Sequence, residues 1–513
     1  MKKILGILLL LNSVLLPAFG QDDINKVIRK HGLEQSKVME IAGWMTDVYG
    51  PRLTGSPMLD KATDWAVQTL NEWGMSNVHL HQWGPFGRGW ELEHFEMHAV
   101  APNYFPIIGY PKAWSPTTGE IEGEVIYIQA AEEKDLEQYK GKLQGKFVLI
   151  DTIRSVSEWF NAPAKRNTSE ELLELANAPA PTPRPGSGRF NTGRFSFNQI
   201  LWQFLENEQP LAIIDRSYKG DLGTVFVSGA RAGSGNVREK DKKILPQITI
   251  SVEHYNRIFR LWEKGIPVKL NLNLKTKYTN EDEMEHNIIA EIPGTELSDE
   301  VVIFGAHFDS WHTGTGATDN AAGSSVMMEA ARILKATIEE TGIQPKRTLR
   351  LALWTGEEQG LYGSRAYVAD NYAVVQNNTV QSLKPAQKKV SAYYNLDNGT
   401  GKIRGVYLQG NNDVAPIFRS WLDPFKDLEA NTLTLSNTGG TDHLAFDAAG
   451  IPGFQFIQDP VAYSTRTHHS NMDNWDHLIE DDLKQAATII ASFVWHTAQR
   501  DGLLPRKQLD LGQ

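Results

Sequence analysis

Residues 347–364, RTLRLALWTGEEQGLYGS, join an apolar strand-like run to two adjacent glutamates and then to a helical pattern. A strand that ends in a polar loop and continues into a helix is the repeating unit of α/β proteins. One acidic residue is enough to cap the helix that follows, so the second carboxylate needs another explanation. The stretch therefore predicts an α/β fold and marks this strand end as a candidate site.

The same alternation extends from residue 286 to the C-terminus. Strand-like runs are HNIIAEIPG, EVVIFGAH, RTLRLALWTG, VSAYYNLD and IRGVYLQG, and helical patterns cover 320–337, 363–372, 412–422 and 481–500. Strands that alternate with helices predict a doubly wound, largely parallel sheet with helices on both faces.

The chain before residue 286 shows a different pattern of predicted helices and strands. Residues 37–73 predict two helices separated by the Gly/Pro-rich break YGPRLTGSP, whereas residues 116–279 carry short β-rich runs. A Pro/Gly-rich run at 177–196 is expected to be a mobile surface loop. We therefore expect one domain in two parts, 21–115 and 280–513, interrupted by an inserted β-rich domain at 116–279.

The first twenty residues, MKKILGILLLLNSVLLPAFG, have the pattern of a secretory signal. Two lysines precede an apolar stretch that is short for a membrane span, and small residues close it. We expect cleavage near Gly20, with a retained N-terminal anchor as the alternative. No second apolar run approaches spanning length, so we expect a secreted or periplasmic chain without a membrane span.

Composition excludes several classes of function. Removing Lys2 and Lys3 with the leader lowers the formal charge of −11 by two, to −13, which argues against nucleic acid or an anionic membrane as the main partner. The sequence has no cysteine, and therefore no disulfide, thiol nucleophile or thiolate metal site.

Polar side chains stand where several predicted strands end. GAHFDSW, WTGEEQG and NLDNG each close an apolar run, and the loops GATDNAAGSS and RTHHSNMDNWD add further acidic and histidine residues. Ligands of open α/β sheets bind at the carboxyl ends of strands, and nitrogen and oxygen ligands suit zinc or a similar divalent ion. Two histidines and three carboxylates could hold a pair of ions, with one carboxylate bridging and the spare glutamate acting as general base. Taken singly, the acidic residues could also cap helices and the histidines could be ordinary buried groups.

The sequence resembles the di-zinc exopeptidases of the bacterial leucyl aminopeptidase superfamily, and is most similar to the plasma glutamate carboxypeptidase (carboxypeptidase Q) branch. The resemblance covers nearly the whole mature chain through YGPRLTGSP, GAHFDSWHTGTGATDNAAG, PKRTLRLALWTGEEQG, GGTDHLAFDAAGIPG and HHSNMD. It implies a zinc-exopeptidase, phosphorylase/hydrolase-like fold whose 116–279 insertion is a protease-associated domain. It also implies two Zn²⁺ ions, with Co²⁺ or Mn²⁺ as substitutes, short peptide substrates and, as an open option, a homodimer.

The resemblance assigns roles to individual residues. By motif, the metal ligands would be His307, Asp319 as the bridge, Glu358, Asp397 and His469. Glu357 would be the general acid/base and Asp309 would orient the imidazole of His307. His468 is interpreted as a neighbour of the site, while Asp442 and His443 receive no role.

Two departures from the family pattern concern details. The family usually places Thr after the acidic residue that follows the last ligand, whereas here Asn474 follows Asp473, and the donor to the oxyanion is unidentified. The sequence contains no HExxH helix, and no GxSxG elbow lies among the candidate strand ends, which argues against thermolysin-like and serine hydrolase sites. The alternatives that remain open are a glutaminyl-cyclase-like acyltransferase with one zinc and a non-catalytic ectodomain on the same fold. The sequence leaves aminopeptidase, dipeptidase and carboxypeptidase activity undecided.

Overall fold

A computed structural model describes residues 21–509 except Ser157, 182–191, Glu281 and Asn378. The expected signal sequence and the central part of the Pro/Gly-rich run lie outside the described residues. The helices, in chain order, are α1 (Gln21–Arg29), α2 (Val38–Gly43), α3 (Pro57–Glu72), α4 (Ser169–Ala176), α5 (Thr192–Glu208), α6 (Val252–Glu263), α7 (Ala322–Thr341), α8 (Tyr362–Asn371), α9 (Ala415–Leu422), α10 (His443–Ala448) and α11 (Glu480–Gln499).

The strands, in chain order, are β1 (Ser76–Trp83), β2 (Gly89–Ala101), β3 (Phe105–Pro106), β4 (Gly109–Pro111), β5 (Gly119–Tyr127), β6 (Lys146–Leu149), β7 (Ala212–Arg216), β8 (Gln247–Ile250), β9 (Lys269–Thr279), β10 (Glu285–Ile292), β11 (Leu297–His307), β12 (Arg347–Trp354), β13 (Ala373–Gln376), β14 (Thr379–Leu383), β15 (Val390–Asn395), β16 (Ile403–Tyr407), β17 (Thr432–Thr434) and β18 (Gly453–Gln458). Short 3₁₀ or π turns occupy Lys30–Glu34, Trp44–Val48, Glu133–Tyr139, Ala317–Ala321, Pro385–Lys389, Asn412–Val414, Asp423–Leu428, Tyr463–Thr467 and Trp475–His477.

The first large sheet has the strand order β1-β10-β12-β11-β15-β18-β16-β17. Its centre, β12-β11-β15-β18, is parallel, as is the pair β16-β17, whereas β1-β10, β10-β12 and β18-β16 are antiparallel. The sheet is therefore mixed, and the expectation of a largely parallel sheet holds only for its centre. One cause is the short connection at residues 293–296. β10 and β11 flank β12, and so short a link has no room for the crossover that parallel strands need, so the chain reverses between them.

Helices cover both faces of this sheet, as a doubly wound arrangement requires. α7 and α11 pack against β11 on one face, within a core that includes Val302, Phe304, Val326 and Phe493. α8 and α10 cover the other face around Trp354, Tyr393 and Phe446. Within the described residues, no helix is both long enough and apolar enough to cross a membrane.

The second large sheet has the order β3-β2-β9-β5-β6-β7-β8-β4 and its own core. It begins earlier in the chain than the expected boundary at residue 116, because β2 pairs with β9 from Gly89 to Ala101. β2 extends well before residue 116, and its positions alternate between more and less buried only in its second half, so the sequence pattern there is weak. The division into domains at 116 and 279 remains a prediction, as does the protease-associated assignment.

Candidate metal centre

His307 is the last residue of β11 and is buried at the carboxyl edge of the central parallel strands. Its Nε2 atom lies 3.3 Å from Asp319 Oδ1 and 3.3 Å from Asp397 Oδ1. Its Nδ1 atom lies 3.0 Å from the carbonyl oxygen of Asp309, a contact that fixes the ring as in many metal-binding histidines. His307, Asp319 and Asp397 therefore form one group that could hold a divalent ion.

His469 lies on the other side of Asp319. Its Nε2 atom is 3.2 Å from Asp319 Oδ2 and 2.8 Å from Glu358 Oε2. The ring of His468 stacks on that of His469 at 3.8 Å, and His468 Nε2 lies 3.8 Å from Asp319 Oδ2. His468 is thus close enough to join a metal group with Asp319 and His469, so its exclusion as a ligand remains a prediction.

Asp319 is the residue that the two groups share, since Oδ1 faces His307 and Oδ2 faces His469. Asp473 fixes its position, because the backbone N–H groups of Thr318 and Asp319 donate to the Asp473 carboxylate at 2.6 and 3.0 Å. Sequence reasoning singled out Asp473 only for the residue that follows it. Its role in holding Asp319 depends on a contact between residues that are 154 positions apart.

Asp309 joins β11 to the glutamate loop that follows β12. Its carboxylate accepts hydrogen bonds from the backbone N–H groups of Glu357 and Glu358, both at 3.3 Å, and Oδ1 lies 3.5 Å from His307 Nδ1. The hydroxyl of Thr54 also donates to Asp309 at 2.8 Å and accepts from Gly356 N–H at 3.1 Å. Sequence reasoning missed Thr54 as an individual residue, although it belongs to the quoted segment YGPRLTGSP.

Arg52, from the same segment, supports the backbone around the site and belongs to neither ligand group. Its guanidinium is fully buried and donates to the carbonyl oxygens of Phe308 at 2.8 Å, Met45 at 2.7 Å, Thr315 at 2.9 Å and Gly316 at 3.0 Å. These bonds fix the backbone that follows His307 and precedes Asp319.

Glu357 belongs to neither ligand group but borders the first one. Its Oε2 atom lies 3.9 Å from His307 Nε2, and the side chain is buried. Burial raises the pKa of Glu357 well above its ordinary value; His307 opposes this shift and Asp397 adds to it. A buried carboxyl group with a raised pKa, next to but outside a ligand set, can serve as a proton acceptor and donor.

The site holds more carboxylates than its histidines can balance. Burial, together with the charge of Asp319, raises the pKa of Glu358 to about 7. Although burial opposes it, the carboxylates of Glu358 and Asp319 raise the pKa of His469 to about 11. Among the described residues, the buried oxygen Glu358 Oε1 has no hydrogen-bond partner, and Asp319 Oδ2 is approached only by the two histidine rings at 3.2 and 3.8 Å. Since buried charged oxygens need a partner, this donor set fits divalent cations.

The loop between β7 and β8 of the second sheet, residues 217–246, contacts the loop that carries His469. The backbone N–H of Val227 donates to the carbonyl oxygen of His469 at 3.0 Å, and Phe226 pairs with Ser470 in an antiparallel bridge. Trp311 packs edge-on against the His469 ring at 6.0 Å and against Trp114 at 6.2 Å. A depression beside the second ligand group is lined by Trp311, Gly314, Gly316, Asp319, Glu358, His469, Ser470 and Asp473.

Asp442 and His443, which sequence reasoning left without a role, lie beside the site and outside both ligand groups. Asp442 is fully buried, and burial raises its pKa to about 7. His443 Nε2 lies 3.2 Å from the carbonyl oxygen of Thr438, and burial lowers its pKa to about 4.

The sequence matches a known protein family and curated relatives. Residues 287–494, which contain the candidate ligands, match the model of peptidase family M28. Carboxypeptidase Q of Mus musculus is 26% identical over 493 residues, covering 94% of this chain and 91% of the mouse protein.

Two solved structures share the fold. A peptidase M28 precursor from Shewanella amazonensis superposes with a TM-score of 0.67 at 21% identity, covering 95% of this chain and 99% of that one. A zinc aminopeptidase from Bacillus subtilis gives a TM-score of 0.55 at 20% identity, covering 90% and 95%. The resemblance found in the sequence is thereby confirmed: the match to the M28 family model and the carboxypeptidase Q relatives support the di-zinc exopeptidase superfamily and its carboxypeptidase Q-like branch, and the chain is a metallopeptidase.

Proposed function

We propose that the chain is an exported two-zinc exopeptidase that hydrolyses dipeptides or short peptides with a free N-terminus. The observation that carries the proposal is the position of Asp319, whose two oxygens face separate groups of nitrogen and oxygen ligands. His307 and Asp397 would complete one ion's protein ligands, while His469 and Glu358 would complete the other's. Co²⁺ or Mn²⁺ could replace zinc at such ligands.

Bound zinc would supply Lewis acidity, which lowers the pKa of a water molecule and polarises the scissile carbonyl. The chain's own residues supply the proton transfer. Glu357 accepts the proton of the attacking water at its carboxylate and returns it to the leaving amine nitrogen. Its raised pKa supports the first step, since a carboxylate with a raised pKa is a stronger base toward the attacking water.

Asp309 acts as a positioning residue in this mechanism. It lies against His307 and receives the N–H groups of both glutamates, so one carboxylate sets the distance between a ligand of the first ion, the general base and a ligand of the second. Arg52 donates to the carbonyl oxygen of Gly316, and Asp473 accepts from the N–H of Thr318, so both fix the backbone next to Asp319.

Export is proposed from the sequence of the leader alone, and the free N-terminus from the resemblance. The name of the mouse relative indicates a carboxypeptidase and that of the bacterial structure an aminopeptidase, so the names alone do not decide which end of the substrate is recognised.

Product analysis tests the proposal directly. The purified mature chain, loaded with zinc and assayed for metal content, is incubated with free dipeptides, N-acetylated dipeptides and longer peptides, and the products are identified by mass. We expect two ions per chain and cleavage of free dipeptides, with N-acetylation abolishing cleavage. One ion with cyclisation of N-terminal glutamine would favour the acyltransferase, and two ions without any turnover would favour a non-catalytic ectodomain.

A further inference from the structure

The loop that carries His469, termed the ligand loop (residues 459–473), begins directly after β18. Two of its non-glycine residues have a left-handed backbone, Val461 with φ of 45° and His469 with φ of 61°. This conformation is unfavourable for any residue with a Cβ atom, and most of all for a β-branched one such as valine. The ligand loop keeps this shape only if contacts from the surrounding structure hold it.

Val461 is held by a short segment of the loop between β6 and α4. The backbone N–H of Lys165 donates to the carbonyl oxygen of Val461 at 3.0 Å, and the two residues pair in an antiparallel bridge. Two positions further along, the N–H of Asn167 donates to Asp459 Oδ1 at 2.9 Å. The start of the ligand loop therefore rests on residues 165–167, just as its end rests on the loop between β7 and β8.

Arg166, between these two contacts, attaches the segment to two acidic residues. Its Nη1 atom lies 2.7 Å from Asp482 Oδ2 and 3.0 Å from Asp459 Oδ2, and its Nη2 atom lies 3.2 Å from Asp482 Oδ1. The side chains of Asp459 and Asp482 are 0% and 4% exposed, whereas that of Arg166 is 44% exposed. Because a buried carboxylate cannot replace a lost partner with water, these charge-assisted bonds keep residues 165–167 in place.

Other ion pairs nearby do not attach this segment. Arg404 also pairs with Asp459, at 3.1 Å, but it belongs to β16 and therefore lies in the same sheet as the strand that precedes the ligand loop. Arg466 pairs with Asp221 at 2.8 Å and joins the middle of the ligand loop to the loop between β7 and β8. The contact between residues 165–167 and the ligand loop is thus secured by Arg166.

We propose that Arg166 is a positioning residue for the metal centre. Its two ion pairs keep residues 165–167 on the ligand loop, and this contact holds Val461 in the left-handed conformation from which the loop leads to His469. The inference rests on the proposed function, because it takes His469 as a ligand of the second ion.

The experiment measures zinc binding by Arg166→Met, which removes the charge but keeps a long side chain. The metal-free protein is titrated with zinc in the presence of a competing chelator. We expect the affinity for the second ion to fall about 10-fold, as when other groups that orient ligands are lost, while the affinity for the first ion stays unchanged. Arg166→Lys, which keeps the charge, should recover part of the loss. Arg29→Met breaks a comparable pair with Asp427, remote in sequence from the ligand loop, and should bind zinc as the wild type does.

A second substitution tests the route through Val461. Glycine adopts the left-handed conformation without a steric cost, so Val461→Gly should make the ligand loop less dependent on residues 165–167. We expect the double variant Arg166→Met/Val461→Gly to regain most of the lost affinity for the second ion. Thermal unfolding of the metal-free variants shows whether each is folded. If Arg166→Met does not fold, Arg166→Lys with and without Val461→Gly provides the same comparison.

The outcomes separate the inference from the function on which it rests. Unchanged affinity for the second ion in a folded Arg166→Met variant would overturn the role of Arg166. Equal losses at both ions, or a loss that Val461→Gly does not restore, would overturn it as well, since the effect would then not pass through the ligand loop. A wild type that bound fewer than two ions would contradict the proposed function itself.

Discussion

The backbone N–H of Val227 donates to the carbonyl oxygen of His469 at 3.0 Å, so the region that carries the second sheet holds a candidate metal ligand in place. His469 itself has a left-handed backbone, with φ of 61°. A non-glycine residue adopts that conformation at a cost, and contacts from the surrounding structure must maintain it. The loop between β7 and β8 thus helps to hold the backbone of His469 in this conformation.

Replacing Val227 with proline removes this donor, and we expect the affinity for the second metal ion to fall about tenfold, as when other groups that orient ligands are lost. Titration of the metal-free protein with zinc in the presence of a competing chelator measures the affinity. Val227→Ala keeps the N–H and serves as the control. Unchanged zinc affinity in a folded Val227→Pro variant would show that the loop between β7 and β8 does not hold His469 in place.

The two glutamates of the loop after β12 should behave differently. Glu357→Gln removes the proton acceptor and should lower kcat by about 10²- to 10⁴-fold while both ions stay bound. Glu358→Gln weakens a predicted ligand and should lower the metal content. Activity and metal content measured on the same preparations distinguish the two. Loss of an ion from Glu357→Gln would make Glu357 a ligand and refute the assignment.

Asp319→Asn tests the bridge. An amide cannot replace a carboxylate whose two oxygens each face a separate ligand group, so we expect both ions to be lost or bound far more weakly. Metal analysis after dialysis against a fixed zinc concentration gives the stoichiometry. Asp481→Asn, at an exposed acidic residue of α11, should retain the wild-type stoichiometry. A variant at Asp319 that still held two ions would exclude the bridge.

Local sequence patterns predicted the ends of the strands that carry the candidate site. The apolar runs that form β11, β12 and β15 end at or just before His307, Glu357 and Asp397, because polar residues that follow a buried strand emerge at the sheet edge. β18, only six residues long and central to the sheet, escaped this reasoning, since so short an apolar run has no distinctive period.

Contacts that position the site could not be predicted in the same way. Thr54 bonds Asp309 across 255 residues, and Asp473 bonds Thr318 across 155. Neither pairing leaves a pattern within a local window, because it exists only after the sheet has formed. The mixed sheet is likewise not set by a local pattern: the short connection from β10 to β11, with β12 inserted between them, and not the hydrophobicity of β10, makes β10 antiparallel to β12.

His496 provides a prediction about stability that is independent of the metal centre. It is buried on α11, its ring stacks on Trp421 at 6.0 Å, and its Nε2 lies 3.0 Å from Asn25 Oδ1. Burial lowers its pKa to about 4, whereas the unfolded chain has the ordinary value near 6.5. Between these values the unfolded state binds more protons, so the free energy of unfolding contributed by His496 is complete above about pH 6.5 and is lost as the pH falls toward 4.

The expected slope is about 1 kcal/mol per pH unit within this window. We predict that His496→Gln, which keeps a donor for Asn25, loses less stability than the wild type between pH 7 and pH 5, by about 1–2 kcal/mol. Urea unfolding at both pH values measures the difference, and the cost of altered packing against Trp421 cancels because it is present at each pH. His477→Gln, at an exposed histidine, should lose as much stability as the wild type. If His496→Gln did so too, His496 would already be charged in the folded protein, and its burial beside Asn25 would not lower its pKa.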